Sequence, residues 1–427
     1  MKKALIITRV SGFLPQFEMK NVRILQSMGY EVHYASNFET VVYGKDNRRL
    51  SGTGIICHPV NMVRNPLSPK NLKALMELRR LMEKERFDLV HCHMPVGGVL
   101  GRLAAYMTGT TPVVYTAHGF HFYKNAPLKN WIPYYLIERF FAHMTDVLIT
   151  INREDYSRAK NFFLRNGKKR HVYYVPGIGV DISGAGEKKS GRELRKEYIL
   201  TKNCENAGSA CQKSGESAKK NVDKPGFSIL DKVGSSHFLL ISVGELSERK
   251  NHILLIEAMA YLRGMPISCM ICGSGAKEKE LKKRIVELGL EKQVFLTGYV
   301  DHIPELLKYA DGFVFPSRQE GLPVAVMEAM AAGLPVIAAD IRGNRDLICD
   351  GKGGRLIRLD EKELHAPQAF ASVIREFSTD HEKCKKMGLY NKKRIRHFSK
   401  EVVEKRMRKI YETTEMIRKK NEEIHIS

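Results

Sequence analysis

The stretch GFVFPSRQEGLPVAVMEAMAAGLPVIAAD, residues 312–340, contains a complete strand–helix–strand passage. Residues 312–316 and 335–339 are short apolar runs. Residues 324–332 between them have helical apolar spacing. Two such runs around a helix read as parallel strands joined by a crossover. The loop after the first run lies at a carboxyl strand end, where open α/β sheets bind ligands. Gly321 lets the backbone approach a ligand closely, and Pro323 suits the first turn of a helix. Free amides there, with the helix dipole, favour a phosphate or a sugar hydroxyl. Glu320 stands just before the helix and Glu328 in its second turn, and a carboxylate accepts both hydrogen bonds of a vicinal diol. Glu328 alone would pass for a solvated helix residue. Its apolar neighbours Val324, Met327, Ala329, Met330 and Ala331 favour a buried carboxylate instead.

The same rhythm runs outward in both directions. Upstream, strands are expected at 238–243, 267–272 and 294–297, with helices at 253–262, 278–288 and 303–309. The first half repeats it, with strands at 4–10, 30–36, 87–93, 112–118, 146–152 and 172–176. Helices there are expected at 16–28, 72–85, 97–108 and 154–166. Alternation of this kind predicts an α/β chain of two Rossmann-like, doubly wound parallel-sheet domains. The expected boundaries are 1–177 for the first domain, 178–233 for a linker, 234–395 for the second domain and 396–427 for a closing helix. The linker holds a flexible insertion at about 201–226, which has no aromatic residue and few large aliphatics to offset its ordering entropy. The closing helix carries an apolar stripe of Val403, Met407, Ile410 and either Met416 or Ile417.

Composition narrows the function. The 427 residues carry a net charge of +23, with 43% hydrophobic residues, which excludes a wholly disordered chain. Residues 1–177 hold 26 Lys and Arg against 12 Asp and Glu, so an anionic surface should meet that half. The basic residues are dispersed and no nucleic-acid motif appears, which argues against nucleic acid as the partner. No two Asp residues stand two apart and no HExxH occurs, so no metal site is expected. The apolar run after Met1 is too short for a signal peptide, and the cysteines are scattered. Cys269 and Cys272 would point to opposite faces of one strand and read as core residues. A reduced cytoplasmic setting follows.

The 315–340 stretch resembles the E-x7-E signature of retaining glycosyltransferases with two Rossmann-like domains facing across a cleft, the GT-B architecture of family-4 type. YTAHGFHFY at 115–123 and DVLITIN at 146–152 resemble a subgroup making capsular and exopolysaccharides. The resemblance implies a hexosyltransferase that moves a sugar from a nucleotide sugar, UDP-linked, with retention. The implied acceptor is a growing glycan on a polyprenyl diphosphate, and the enzyme would sit peripherally on the inner face of the cell membrane. It further implies that Glu328 holds the nucleotide ribose, that Glu320 contacts the transferred sugar, and that amides near Gly321 and Leu322 support sugar or diphosphate. Lys250 matches a lysine that clamps the diphosphate. Its usual arginine partner is replaced by Glu245, with Arg249 as the candidate substitute. Gly244 and Gly273 line the donor loops, the segment at Tyr299 meets the base, and Arg342 and Arg345 are further phosphate candidates. No cofactor or metal is implied. The rival readings are a nucleotide-sugar epimerase of the same architecture and a non-catalytic sugar-nucleotide-binding subunit.

In the first half, the resemblance places His118 at a carboxyl strand end, against the sugar near the reacting carbon, and makes it the third catalytic candidate after Glu320 and Lys250. His121 and His93 have similar surroundings and weaker warrants. Gly12 and Phe13, in the first loop, are acceptor-side candidates together with His121. Residues 129–141 combine aromatic residues with basic flanks, which suits an anionic membrane surface. Against that, Ile132, Leu136 and Phe140 have the spacing of a helix face packed into a core.

Overall fold

Among the described residues, β-branched and aromatic runs alternating with helices fold as thirteen strands in two parallel sheets. The structure is a computed structural model. It describes every residue except 45, 67, 125, 168–170, 183–188, 207–225, 360–363 and 427. The chain divides into two compact units, Met1–Gly179 with Lys400–Ser427, and Val180–Ser399.

The first unit holds Lys2–Val10 (β1), Tyr30–Asn37 (β2), Ile56–Pro59 (β3), Leu89–His93 (β4), Val113–Ala117 (β5), Val147–Thr150 (β6) and Val172–Tyr174 (β7). Their order is β3-β2-β1-β4-β5-β6-β7. Side chains alternate between faces with the strand period of two. Leu5, Ile7, Val90, Cys92, Val113 and Tyr115 enter one core beneath helices Pro69–Glu85 and Pro95–Met107. Ala4, Ile6, Leu89 and Val114 enter the other, against helix Met19–Ser27 and the closing helix Lys400–Ile426. A sheet covered on both faces explains why its inner strands read as continuous apolar runs.

The closing helix therefore belongs to the first unit rather than standing apart. Val403, Met407 and Ile410 are buried, joined by Tyr411, and the stripe continues through Ile417 while Met416 is exposed. Strand β3 has no counterpart in the sequence reading. It is an edge strand whose Ile56 and Cys57 are exposed, so no burial pattern marks it.

The second unit holds Phe238–Val243 (β8), Ile267–Cys272 (β9), Val294–Gly298 (β10), Gly312–Phe315 (β11), Val336–Ala339 (β12) and Gly354–Ile357 (β13). The order is β10-β9-β8-β11-β12-β13, and every pairing is parallel. Helix Val324–Ala332 matches its sequence expectation residue for residue. Cys269 and Cys272 are both buried in β9, and burial pushes both thiols up.

Part of the expected linker is structural. Helix Gly191–Asn206 buries Arg195, whose guanidinium donates to the His237 carbonyl (2.7 Å) and to Asp311 Oδ2 (2.8 Å). Tyr198 packs edge-on to the Tyr309 ring, and Phe227, Leu230 and Val233 are buried. Most of the expected insertion, 207–225, lies outside the described residues.

Candidate active site

In the second unit, loops leave the carboxyl ends of four neighbouring strands and tie to one another through main chain. Gly244 N–H donates to the Cys272 carbonyl (3.0 Å), Gly273 N–H to Gly298 (2.8 Å), Leu246 N–H to Ser274 (2.9 Å) and Arg318 N–H to Arg249 (2.9 Å). Gly273 has φ +150°, and a Cβ there would sit 1.9 Å from the Gly244 carbonyl oxygen. Only glycine lets these two loops touch.

The carboxylate of Glu320 is the centre of this cluster. It accepts from Lys250 Nζ (2.8 Å), Arg249 Nη1 (2.7 Å) and Ser317 Oγ (2.7 Å). Burial alone would raise its pKa. Lys250, Arg249 and the Ser317 hydroxyl outweigh burial and hold it below the ordinary carboxylate range. Lys250 Nζ also stands 4.8 Å from the Phe315 ring centroid. Two cations face one carboxylate, so the cluster keeps an excess positive charge at a strand end, which suits a diphosphate. Glu245 is exposed and takes no part in the cluster.

Gly321 and buried Leu322 lead into helix Val324–Ala332, whose first amides have no intrahelical partner. Val326, Met327, Ala329 and Met330 turn into the core, which leaves Glu328 half-buried rather than sealed as the sequence suggested. Arg342 donates from Nε to the Glu320 carbonyl (3.1 Å) and so braces this loop. Arg345 is engaged by Asp340 (2.6 Å). Tyr299 follows the turn at Gly298 and is exposed.

In the first unit, His93 ends β4 and His118 follows β5. His93 Nδ1 and His118 Nε2 are 3.1 Å apart, and Glu18 Oε1 lies 3.9 Å and 3.7 Å from those two nitrogens. Burial pushes the Glu18 carboxyl up despite the nearby Lys20 and Asn21, and burial pulls the Lys20 ammonium down despite Glu18. Burial, with the Lys20 ammonium, pushes His118 down to about 3, so its ring is neutral near pH 7. Phe13 is buried edge-on to the His118 ring at 4.9 Å between centroids. Gly12 lies flat against the 41–43 backbone, where a Cβ would come within 2.4 Å of the Val41 carbonyl oxygen. His121 stacks on Tyr134 at 4.5 Å and is no part of the histidine pair.

The second-half pattern matches the family described as Glycosyl transferases group 1 over residues 232–394, and the first half matches Glycosyl transferase 4-like over residues 5–152. The putative glycosyltransferase EpsD of Bacillus subtilis (strain 168) is 34% identical over 414 residues, 96% of each chain. The chain belongs to the group 1 glycosyltransferases. Another of its relatives is the Escherichia coli UDP-Gal:alpha-D-GlcNAc-diphosphoundecaprenol alpha-1,3-galactosyltransferase, 30% identical over 75% of this chain and 73% of its own length. The capsular polysaccharide biosynthesis glycosyltransferase CapM of Staphylococcus aureus is 21% identical over 92% of each. Among solved structures, Anabaena Alr3699/HepE in complex with UDP and glucose superposes with a TM-score of 0.67. It is 16% identical and covers 97% of this chain and 100% of that one, a likeness of fold.

For this glycosyltransferase the loops of the second unit bring Glu320, Lys250 and Arg249 into direct contact, next to Gly244 and Gly273. Sequence reasoning missed Ser317, and it missed the Glu18–Lys20 pair beside His118. Only the sheet order carries the signal for that pair: β1, β4 and β5 are neighbours, so their outgoing loops converge.

Proposed function

We propose that this glycosyltransferase moves a hexose from a UDP-sugar, with retention, onto a growing glycan carried on a polyprenyl diphosphate in surface polysaccharide synthesis. The observation that carries this is the paired cations, Lys250 and Arg249, around Glu320 at the strand ends of the second unit. The names of the Escherichia coli and Staphylococcus aureus relatives support the acceptor class and the pathway. HepE supports the donor class, having been solved with UDP on the same fold.

In this reading the acceptor hydroxyl attacks from the face the nucleotide leaves, and the leaving diphosphate oxygen takes its proton. The chain's own groups hold charge and geometry. Lys250 and Arg249 neutralise the diphosphate as the bond breaks, and the amides around Gly321 and Leu322 hold the sugar. Glu320 aligns both cations and contacts the transferred sugar, Glu328 takes the ribose diol, and Tyr299 lies by the base. His118, on the first unit, is assigned as a hydrogen-bond partner of the sugar. Gly12, Phe13 and His121 are assigned to the acceptor side. Cations already in place make a divalent metal unnecessary.

The test is product analysis by mass spectrometry with UDP-sugars and lipid-linked acceptors. Transfer is expected only when donor and acceptor are both present, and a chelator should leave the rate unchanged. Conversion of free UDP-sugar without acceptor would support an epimerase instead, and binding without turnover a regulatory subunit. Loss of activity in chelator, restored by Mg²⁺ or Mn²⁺, overturns the metal-free reading. Glu328→Gln is expected to raise the donor KM by ~10-fold or more with less effect on kcat, the cost of a hydrogen bond to a charged group. An unchanged KM removes Glu328 from the ribose site.

A peripheral position on the anionic inner face of the membrane belongs to the same proposal. Among the described residues no helix is long and apolar enough to cross a membrane. Helix Leu128–Ala142 is the element offered for the contact.

A further inference from the structure

We infer that His93 is a positioning residue that fixes the tautomer of His118 and makes it an outward hydrogen-bond donor. This rests on the reading of His118 as a site residue. His93 is fully buried, and burial holds its pKa well below the ordinary value, so its ring is neutral and carries one N–H. Its Nε2 is buried with no hydrogen-bond partner, while Nδ1 lies 3.1 Å from His118 Nε2.

Two arrangements satisfy that contact. With the His93 proton on Nε2, a buried N–H has no acceptor, and His118 must donate back to Nδ1. With the proton on Nδ1, His93 donates to His118 and leaves only a bare lone pair at Nε2. Buried orphan N–H groups are rarer and costlier than under-used acceptors, so the second arrangement holds. Glu18 Oε1 does not compete for the proton, since it is 3.9 Å from His93 Nδ1. Neighbouring His91 is already engaged at both nitrogens, by the Tyr411 hydroxyl and the Thr116 hydroxyl, each at 2.8 Å.

The consequence follows from neutral imidazole chemistry. With Nε2 accepting, the His118 proton sits on Nδ1. The His118 side chain is 20% exposed, and its Nδ1 is not among the buried orphan atoms. His118 therefore offers a donor to a ligand oxygen, a sugar hydroxyl or a phosphate oxygen, and does not serve as a base through Nδ1. Glu18, His93 and His118 also present three ligand atoms within 4.8 Å of one another. The Lys20 ammonium beside them and the direct His93–His118 contact favour the hydrogen-bonded state over a bound cation.

The experiment is nitrogen-15 NMR on histidine-labelled full-length protein, with the His118 signals assigned by their loss in His118→Gln. The expected result is a protonated Nδ1 and a bare Nε2 on His118 near pH 7. In His93→Leu the proton should move toward Nε2, with kcat falling ~10²-fold at little changed KM, the cost of a misdirected contact. His93→Asn, whose amide N–H stands near the lost Nδ1–H, should restore both the tautomer and most of kcat. A protonated Nε2 on wild-type His118 overturns the inference, as does a tautomer unchanged in His93→Leu. A shift of both rings on adding Zn²⁺ alone at stoichiometric concentration also overturns it, in favour of a metal site. Full activity of His118→Gln would instead remove His118 from the site while leaving the tautomer result standing.

Discussion

Lys250→Ala is expected to lower turnover by ~10²–10³-fold, and Glu320→Gln by a similar factor, because each removes one member of a preorganised charge cluster. Lys250 Nζ is 2.8 Å from Glu320 Oε1 and both side chains are largely buried, so neither is replaced readily by water. Lys250→Ala leaves Arg249 as the remaining cation on the carboxylate (2.7 Å), and half-exposed Arg249 cannot fill the vacated position over Phe315. Glu320→Gln keeps the size of the side chain and its hydrogen bond from Ser317 but removes the negative charge that aligns both cations. The double variant should cost much less than the product of the two single losses, since the residues act as a unit. Glu320 is held below its ordinary pKa, so the carboxylate stays ionised throughout the neutral range. What its ionisation adds to folding is present above the unfolded-state carboxylate pKa and is lost as pH falls through the lower folded-state value. Steady-state kinetics with a donor titration decide the matter. Single variants within about 3-fold of wild type would remove this cluster from the chemistry.

The elements legible in the sequence are those whose burial pattern is local. Strands β1, β2, β4, β5, β6, β8, β9, β11 and β12 announce themselves as apolar runs because both faces of their sheets are covered. Helix Val324–Ala332 is bounded by Pro323 and Gly333, which mark its ends. Edge strand β3 and the helix Gly191–Asn206 carried weaker patterns. In the latter, one buried position is an arginine, Arg195, paired by Asp311, 116 positions away. The donor-side residues were legible because they sit on one short motif and one loop. The Glu18–His93–His118 group was not, since its members meet only through the order of strands in the sheet. The charge on Glu245 was legible as a departure from the family pattern. Its exposure, and the pairing of Arg249 with Glu320, show which cation joins Lys250 at the carboxylate.

Replacing Ile132 and Leu136 together by Glu is expected to abolish sedimentation with anionic vesicles while leaving folding intact. The sequence left two faces of helix Leu128–Ala142 competing for the core, and Glu138 decides between them. Its carboxylate is buried, accepting from Arg102 Nη2 (3.0 Å) and the Tyr115 hydroxyl (2.9 Å), and Trp131, Tyr134 and Tyr135 pack on the same core. That geometry turns Leu128, Ile132, Leu136, Ile137 and Phe140 outward, each between 42% and 73% exposed. Four of these recur every fourth residue and form a continuous apolar stripe, with Lys129 and Arg139 exposed on the same helix and Lys124 just before it. An apolar stripe with basic flanks, on the half of the chain with the larger excess of positive charge, suits an anionic bilayer surface. Burying each aliphatic side chain contributes ~1.5–3 kcal/mol at full depth, so the double substitution should weaken partitioning ~10²-fold or more. Removing Lys129 or Arg139 should cost ~5-fold each, from about 1 kcal/mol per basic residue, and less as salt rises. Thermal melting should stay near wild type, because exposed positions away from caps and ion pairs rarely change stability by more than ~0.5 kcal/mol. Equal binding to neutral and anionic vesicles, or none to either, would confine the positive charge to solubility or to the phosphates of the substrates. A concentration-dependent dimer in light scattering, lost in the same double variant, would assign the stripe to a second copy of the chain instead.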